Sequence, residues 1–142
     1  IIGILAAIAL PQYRVAVAKA RVAQVLPVLR SLLEARERYF LANGTHSDNM
    51  EDLDVRVPYE SRGGTEKMPA YLGTPAGPLA FSTDNSCVFF ISSEKLPLII
   101  DFCSGARKDC YGVDETGDRI CATLGTHIGT ASNGHPQYRF NF

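Results

Sequence analysis

The sequence holds no C-x-x-C pair, no P-loop, no dinucleotide fingerprint, no nucleophile elbow and no Gly-turned calcium loop. Those absences speak against zinc ribbons, thioredoxin-like redox chemistry, phosphate cradling and hydrolase-type acyl transfer. A dominant charge is also missing. The 14 Lys and Arg stand against 15 Asp and Glu, and the sequence pI is near 6.3, so nothing in the overall balance calls for nucleic acid as a partner. His46, His127 and His135 are scattered without a cysteine or carboxylate at ligand spacing and read as ordinary loop histidines. The expectation is a protein that is not an enzyme and carries no metal or cofactor. At 142 residues the chain has material for one compact head.

What is present is uneven. Residues 1–42 carry six cations (Arg14, Lys19, Arg21, Arg30, Arg36, Arg38) against two anions (Glu34, Glu37), a net +4 that leaves −5 on the remaining 100 residues. The chain therefore reads as a basic stem and an acidic head, divided as 1–42 and 43–142. All four cysteines, Cys87, Cys103, Cys110 and Cys121, fall in the head. An even number in a small region punctuated by Gly and Pro reads as two disulfides and an oxidising compartment.

The stem opens on ten uninterrupted apolar residues, Ile1-Ile2-Gly3-Ile4-Leu5-Ala6-Ala7-Ile8-Ala9-Leu10, followed by Pro11. A spanning helix needs about 20, so this run is half a span, a signal core or a buried helix. Neither the basic region nor the cleavage site of a secretory signal flanks it. From Val15 the apolar residues recur in steps of three and four, through Val22, Val25, Leu26, Leu29, Leu32, Leu33, Tyr39 and Phe40. That is the pattern of an amphipathic helix with Arg14, Lys19, Arg21, Arg30, Arg36 and Arg38 on its polar side. Asn43-Gly44 supplies the stop. Asn43-Gly44-Thr45 is formally a glycosylation sequon, but the helix stop already accounts for it. The prediction is one helix over 1–42, apolar over 1–13 and amphipathic over 14–42. Pro11 and Pro27 are expected to kink it, and the stretch from Gly3 to Pro11 to be its weakest and able to melt locally. Unwinding there leaves backbone groups unpaired in apolar surroundings, which neighbouring copies can relieve.

The run from Ile1 through Pro11-Gln12-Tyr13 resembles the second half of the amino-terminal segment of bacterial type IV pilins and of the pseudopilins of type II secretion. The long helix, its Tyr39-to-Thr45 end and a cysteine-bearing head also resemble pilins, while residues 46–142 match only in general plan. The resemblance implies a precursor in the inner membrane, removal of a leader by a prepilin peptidase, a methylated mature amino terminus and a nearby assembly glutamate. The residues that would carry these do not fall within this chain. It further implies an extracellular helical filament of many identical copies, built by a pilus assembly machinery and serving adhesion, motility or DNA uptake. Its core would be Ile1, Ile2, Ile4, Leu5, Ile8 and Leu10, and its helix would melt between Gly3 and Pro11.

In the head, 47–53 reads as a polar loop with a helical turn. Asp48, Glu51, Asp52 and Asp54 read as solvated rather than as a cation site. Residues 58–79, rich in Pro and Gly, read as irregular. Two apolar runs, 87–91 and 98–103, read as strands of a hairpin centred at Lys95, which places Cys87 opposite Cys103. A second turn around 114–117 places Cys110 opposite Cys121. Each closed loop is worth about 3 kcal/mol in the chain-entropy account. The alternating run 138–142 reads as a closing strand. The predicted fold is α+β, a long helix packed on a small antiparallel sheet. The leading expectation is a major pilin, held together by apolar burial and by basic stem against acidic heads. The alternatives are a pseudopilin, a family whose major members are typically calcium-bound and cysteine-poor, and a membrane-anchored binding module.

Overall fold

The computed structural model describes residues 2–64, 68, 70–82, 87–105 and 107–141; the side chains of residues 2, 5–11 and 70 lie outside that description. A helix, α1, runs from Ile2 to Asn43. Its buried positions Ala18, Val22, Val25, Leu29, Leu32 and Arg36 follow one another in steps of four and three, which is one stripe along a 3.6-residue helix. The helix is continuous through Gly3, Pro11 and Pro27, and neither a kink nor a melted stretch is shown. Pro27 sits on the exposed side of the helix, as does Ala23, the residue whose carbonyl loses its donor there. Gly44, at φ +79°, ends the helix by returning its N–H to the Phe40 carbonyl at 2.7 Å.

After a single 3-10 turn at Met50–Asp52, the chain builds one antiparallel sheet. Its strands are β1 (Glu60–Ser61), β2 (Ala70–Thr74), β3 (Gly77–Phe81), β4 (Cys87–Phe90), β5 (Leu98–Cys103) and β6 (Lys108–Gly112). A second helix, α2 (Glu115–Leu124), then leads to β7 (Gly125–Thr130) and β8 (Pro136–Phe140). The spatial order is β1-β2-β3-β4-β5-β6-β8-β7, so β8 returns between β6 and β7, and a bulge at His127–Gly129 offsets that last pair. One face of the sheet meets α1 through Leu79, Phe81, Val88, Phe90, Leu98, Ile100 and Phe102. Each such side chain contributes about 1.5–3 kcal/mol of burial.

Three expectations for the head are corrected. The stretch 58–79 is not irregular: it supplies β1, β2 and the start of β3, with a hairpin at Thr74–Gly77. Pro78 lacks a donor, yet its carbonyl still accepts from the Ile91 N–H at 2.9 Å, so the ladder tolerates it. Residues 114–117 form no hairpin turn. Asp114 caps α2 by accepting from the Gly117 N–H at 2.8 Å, and Glu115 and Asp118 lie in the first turn, where the helix dipole favours anions. Gly117, Ile120, Cys121 and Leu124 form its inward stripe. Gly117 must lack a side chain, since a Cβ there would collide with the Pro97 carbonyl. The closing strand is Pro136–Phe140 rather than 138–142, and Phe142 lies outside the described residues.

The disulfides are Cys87–Cys103 and Cys110–Cys121. Cys87 and Cys103 are direct partners across β4 and β5, on the hairpin that turns at Ser93–Leu96. The second bridge joins β6 to α2 and so fixes the helix to the sheet.

Candidate assembly surface

The two ends of α1 have different surroundings. From Ala18 to Arg36 its inner stripe packs on β4, β5 and α2, which seats the head against the helix's second half. Before Ala18 the described side chains are mostly open: Ile4 is 67% and Tyr13 66% exposed, and Gln12, Arg14 and Ala16 are also exposed. Of the residues assigned to a filament core, Ile1 lies outside the described residues, as do the side chains of Ile2, Leu5, Ile8 and Leu10. Only Ile4 can be placed, and it faces out. Among the described residues no helix is long and apolar enough to cross a membrane.

Arg36 corrects the sequence reading most sharply. Its charge predicts the polar side, yet it is fully buried, four residues beyond Leu32 on the apolar stripe. Its Nε donates to the Ser47 carbonyl at 2.9 Å, Nη1 to the Cys87 carbonyl at 2.7 Å and Nη2 to the Ser82 carbonyl at 2.8 Å. The guanidinium also lies 5.0 Å from the centre of the Phe81 ring. Burial pulls its pKa down, and the Asp48 charge offsets part of that. The stripe spacing is the signal that could have found it, because position 36 continues the series 18, 22, 25, 29, 32. Two surface contacts complete the clasp: Arg21 donates to the Lys95 carbonyl at 3.0 Å, and Arg38 holds Asp54 through two bonds of 2.7 and 2.8 Å. The second contact lowers the Asp54 pKa, chiefly by hydrogen bonding.

The acidic residues of the 47–54 loop do not converge. Asp52 accepts from the Ser47 hydroxyl at 2.6 Å, Glu51 accepts from the Tyr59 hydroxyl at 2.9 Å, and Asp54 belongs to Arg38. The histidines are likewise apart. His46 stacks on Phe40 at 4.4 Å, His127 meets the edge of Tyr138 at 5.5 Å, and His135 Nδ1 lies 3.0 Å from Asp118. Among the described residues no three His, Cys, Asp or Glu side chains gather where they could hold a metal ion.

The sheet face away from α1 carries a polar row that sequence reasoning missed. Asp101 and Asp109 are cross-strand partners and both are buried. Asp109 accepts from Arg139 at 2.8 and 3.2 Å and from Gln137 at 2.9 Å, whereas Asp101 pairs with Arg107 at a longer 3.7 Å. Burial pushes the Asp101 carboxyl up to about 6; Arg107 opposes the shift and Asp109 adds to it. The neighbouring Tyr111 hydroxyl is pushed up to about 12, mainly by burial and then by the Asp101 charge. The strand alternation of 99, 101 and 103 against 98, 100 and 102 was the available signal, since Asp101 alone breaks an apolar run.

No known family model, curated protein or solved structure matches the chain.

Proposed function

We propose that the chain is a structural subunit of an extracellular type IV pilus filament, polymerising through the amino-terminal part of α1. The observation that carries this reading is the contrast within that one helix. Its second half has an apolar stripe with a wet opposite side, which one sheet face can satisfy. The sequence from Gly3 to Leu10 has no polar residue at any position, so it has no side suited to water. A helix that is apolar all round needs apolar neighbours all round. Lipid supplies them before assembly, and the same segment of other copies supplies them within a filament. In that packed setting, local melting between Gly3 and Pro11 becomes affordable, because neighbouring chains can take up the freed backbone groups.

The experiment is electron microscopy of material sheared from cells and purified without detergent, with mass spectrometry to identify the repeating chain. Long thin filaments made of this chain are the expected result. Recovery only from detergent-extracted membranes, as monomers or short assemblies, overturns the pilus reading in favour of a pseudopilin or an anchored binding module.

A further inference from the structure

Where the head meets the exposed part of α1, an open cleft of about 560 Å³ lies between that helix and α2. It is lined by Gln12, Arg14, Val15, Ala16, Lys19, Thr116 and Arg119. Three of these are cations, contributed by two separate helices, and none is acidic. No ion pair among the described residues ties up Arg14, Lys19 or Arg119, unlike Arg38 and Arg139. Gln12 and Thr116 add neutral donors. The cleft therefore offers positive charge and hydrogen-bond donors with no carboxylate in its own lining, Glu94 and Asp114 belonging to the adjoining cleft that Arg14 and Thr116 also line, which suits an anion bearing several oxygens.

Its position selects among anions. Arg14 is four residues past Leu10, about 6 Å along the axis from the end of the apolar run, and Lys19 is about 13 Å from it. With the apolar run inserted in a bilayer, those heights fall in the headgroup layer and the water just outside it. Long basic side chains at that depth can also bend toward the interface. We propose that the cleft formed by Arg14, Lys19 and Arg119 docks the phosphate of an anionic phospholipid headgroup while the subunit waits in the membrane. This rests on the pilin reading only in requiring that the apolar run insert.

The test is flotation of the full chain with vesicles of phosphatidylcholine alone and with vesicles that also contain 30% phosphatidylglycerol. Each basic residue near a charged surface contributes about a fivefold gain in partitioning. The double variant Lys19→Gln/Arg119→Gln should therefore lose roughly 25-fold on anionic vesicles and nothing on neutral ones. The control pair Arg56→Gln/Arg62→Gln, neither of which lines the cleft, should lose far less. Equal losses from the two pairs, or equal binding to both vesicle types, overturn the cleft as a headgroup site. So does millimolar inorganic phosphate that abolishes the anionic preference at constant ionic strength, since it assigns the cleft to a free anion. Filament formation is scored separately on the same variants. Normal filaments without lipid preference refute this inference alone, and absence of both filaments and vesicle binding by the unaltered chain refutes the pilin reading as well.

Discussion

The two halves of α1 are built from the same backbone and differ in how their side chains are distributed around it. From Ala18 to Arg36 buried and exposed positions alternate with the helical period, and the buried set is matched by the inner faces of β4 and β5. From Gly3 to Leu10 the sequence has no polar residue to alternate with the apolar ones. A one-sided pattern is satisfied within the monomer, whereas an all-round pattern is not. On the proposed function, folding and assembly fall to different stretches of a single helix. Substitutions in the two stretches should separate accordingly: those from Gly3 to Leu10 should change assembly and leave stability alone, and those from Ala18 to Arg36 should do the reverse.

The largest effect is expected from charge in the apolar run. Leu5→Glu or Ile8→Glu should abolish filaments while the purified head keeps its disulfides and near-ultraviolet circular dichroism. Normal filaments from either variant would falsify the division of labour. Arg36→Ala comes next. It takes a donor from each of three buried carbonyls, of which the Cys87 carbonyl keeps the Ser82 N–H at 3.3 Å, and removes the guanidinium from Phe81, for an expected loss of about 3–5 kcal/mol in denaturant unfolding. Arg36→Lys should recover only part of this, because one ammonium cannot reach the three carbonyls with the geometry of a planar fork.

Leu29→Ala and Tyr13→Ala sharpen the comparison within the helix. The first empties a fully buried site and should cost about 2–5 kcal/mol. The second alters a residue that is 66% exposed, so its unfolding free energy should move by no more than about 0.5 kcal/mol. Similar losses from both would show that the exposed half also contributes to the monomer's core.

The last prediction tests the head rather than the stem. Because burial holds the Asp101 carboxyl near 6 in the folded chain, the native state binds a proton more readily than the unfolded state between pH 4 and 6. Asp101 therefore weakens the fold as pH rises through 6, and the penalty is fully relieved only below the ordinary aspartate range. Asp101→Asn should raise stability at pH 7.5 by about 2–3 kcal/mol and flatten the profile between pH 4 and 7. The Arg38–Asp54 pair acts in the opposite sense. Its depressed carboxylate pKa favours the fold above the ordinary aspartate range and loses that contribution as pH falls through the lower folded value. An unchanged profile in the Asp101 variant would mean that Arg107 compensates the carboxylate more completely than a 3.7 Å contact suggests.

How much could be read in advance depended on how local the determining pattern was. The helix, its stop at Asn43-Gly44 and the β4–β5 hairpin follow from spacings within a few residues, and the hairpin's symmetry places Cys87 against Cys103. The Cys110–Cys121 pair was reached through a hairpin that does not exist. Asp114 caps a helix instead, and one side of α2 delivers Cys121 to the same place. β1, β2 and β3 were hidden by Pro and Gly, because those residues punctuate a hairpin as readily as an irregular loop. Of the two candidate surfaces on α1, the apolar run was legible as composition, whereas the cleft joins residues about a hundred positions apart.

By itself, the sequence determined the parts set by short-range sterics and periodicity: a long helix with one amphipathic half, a basic stem against an acidic head, and a strand pair bringing two cysteines together. Only the tertiary structure decided where the charges went. It buried Arg36 under three carbonyls, set Asp101 beside Asp109 and brought Arg119 to Arg14 and Lys19. The reason is physical. A charged side chain's energy is governed by desolvation and by partners from distant segments, and neither exists until the sheet has closed on the helix.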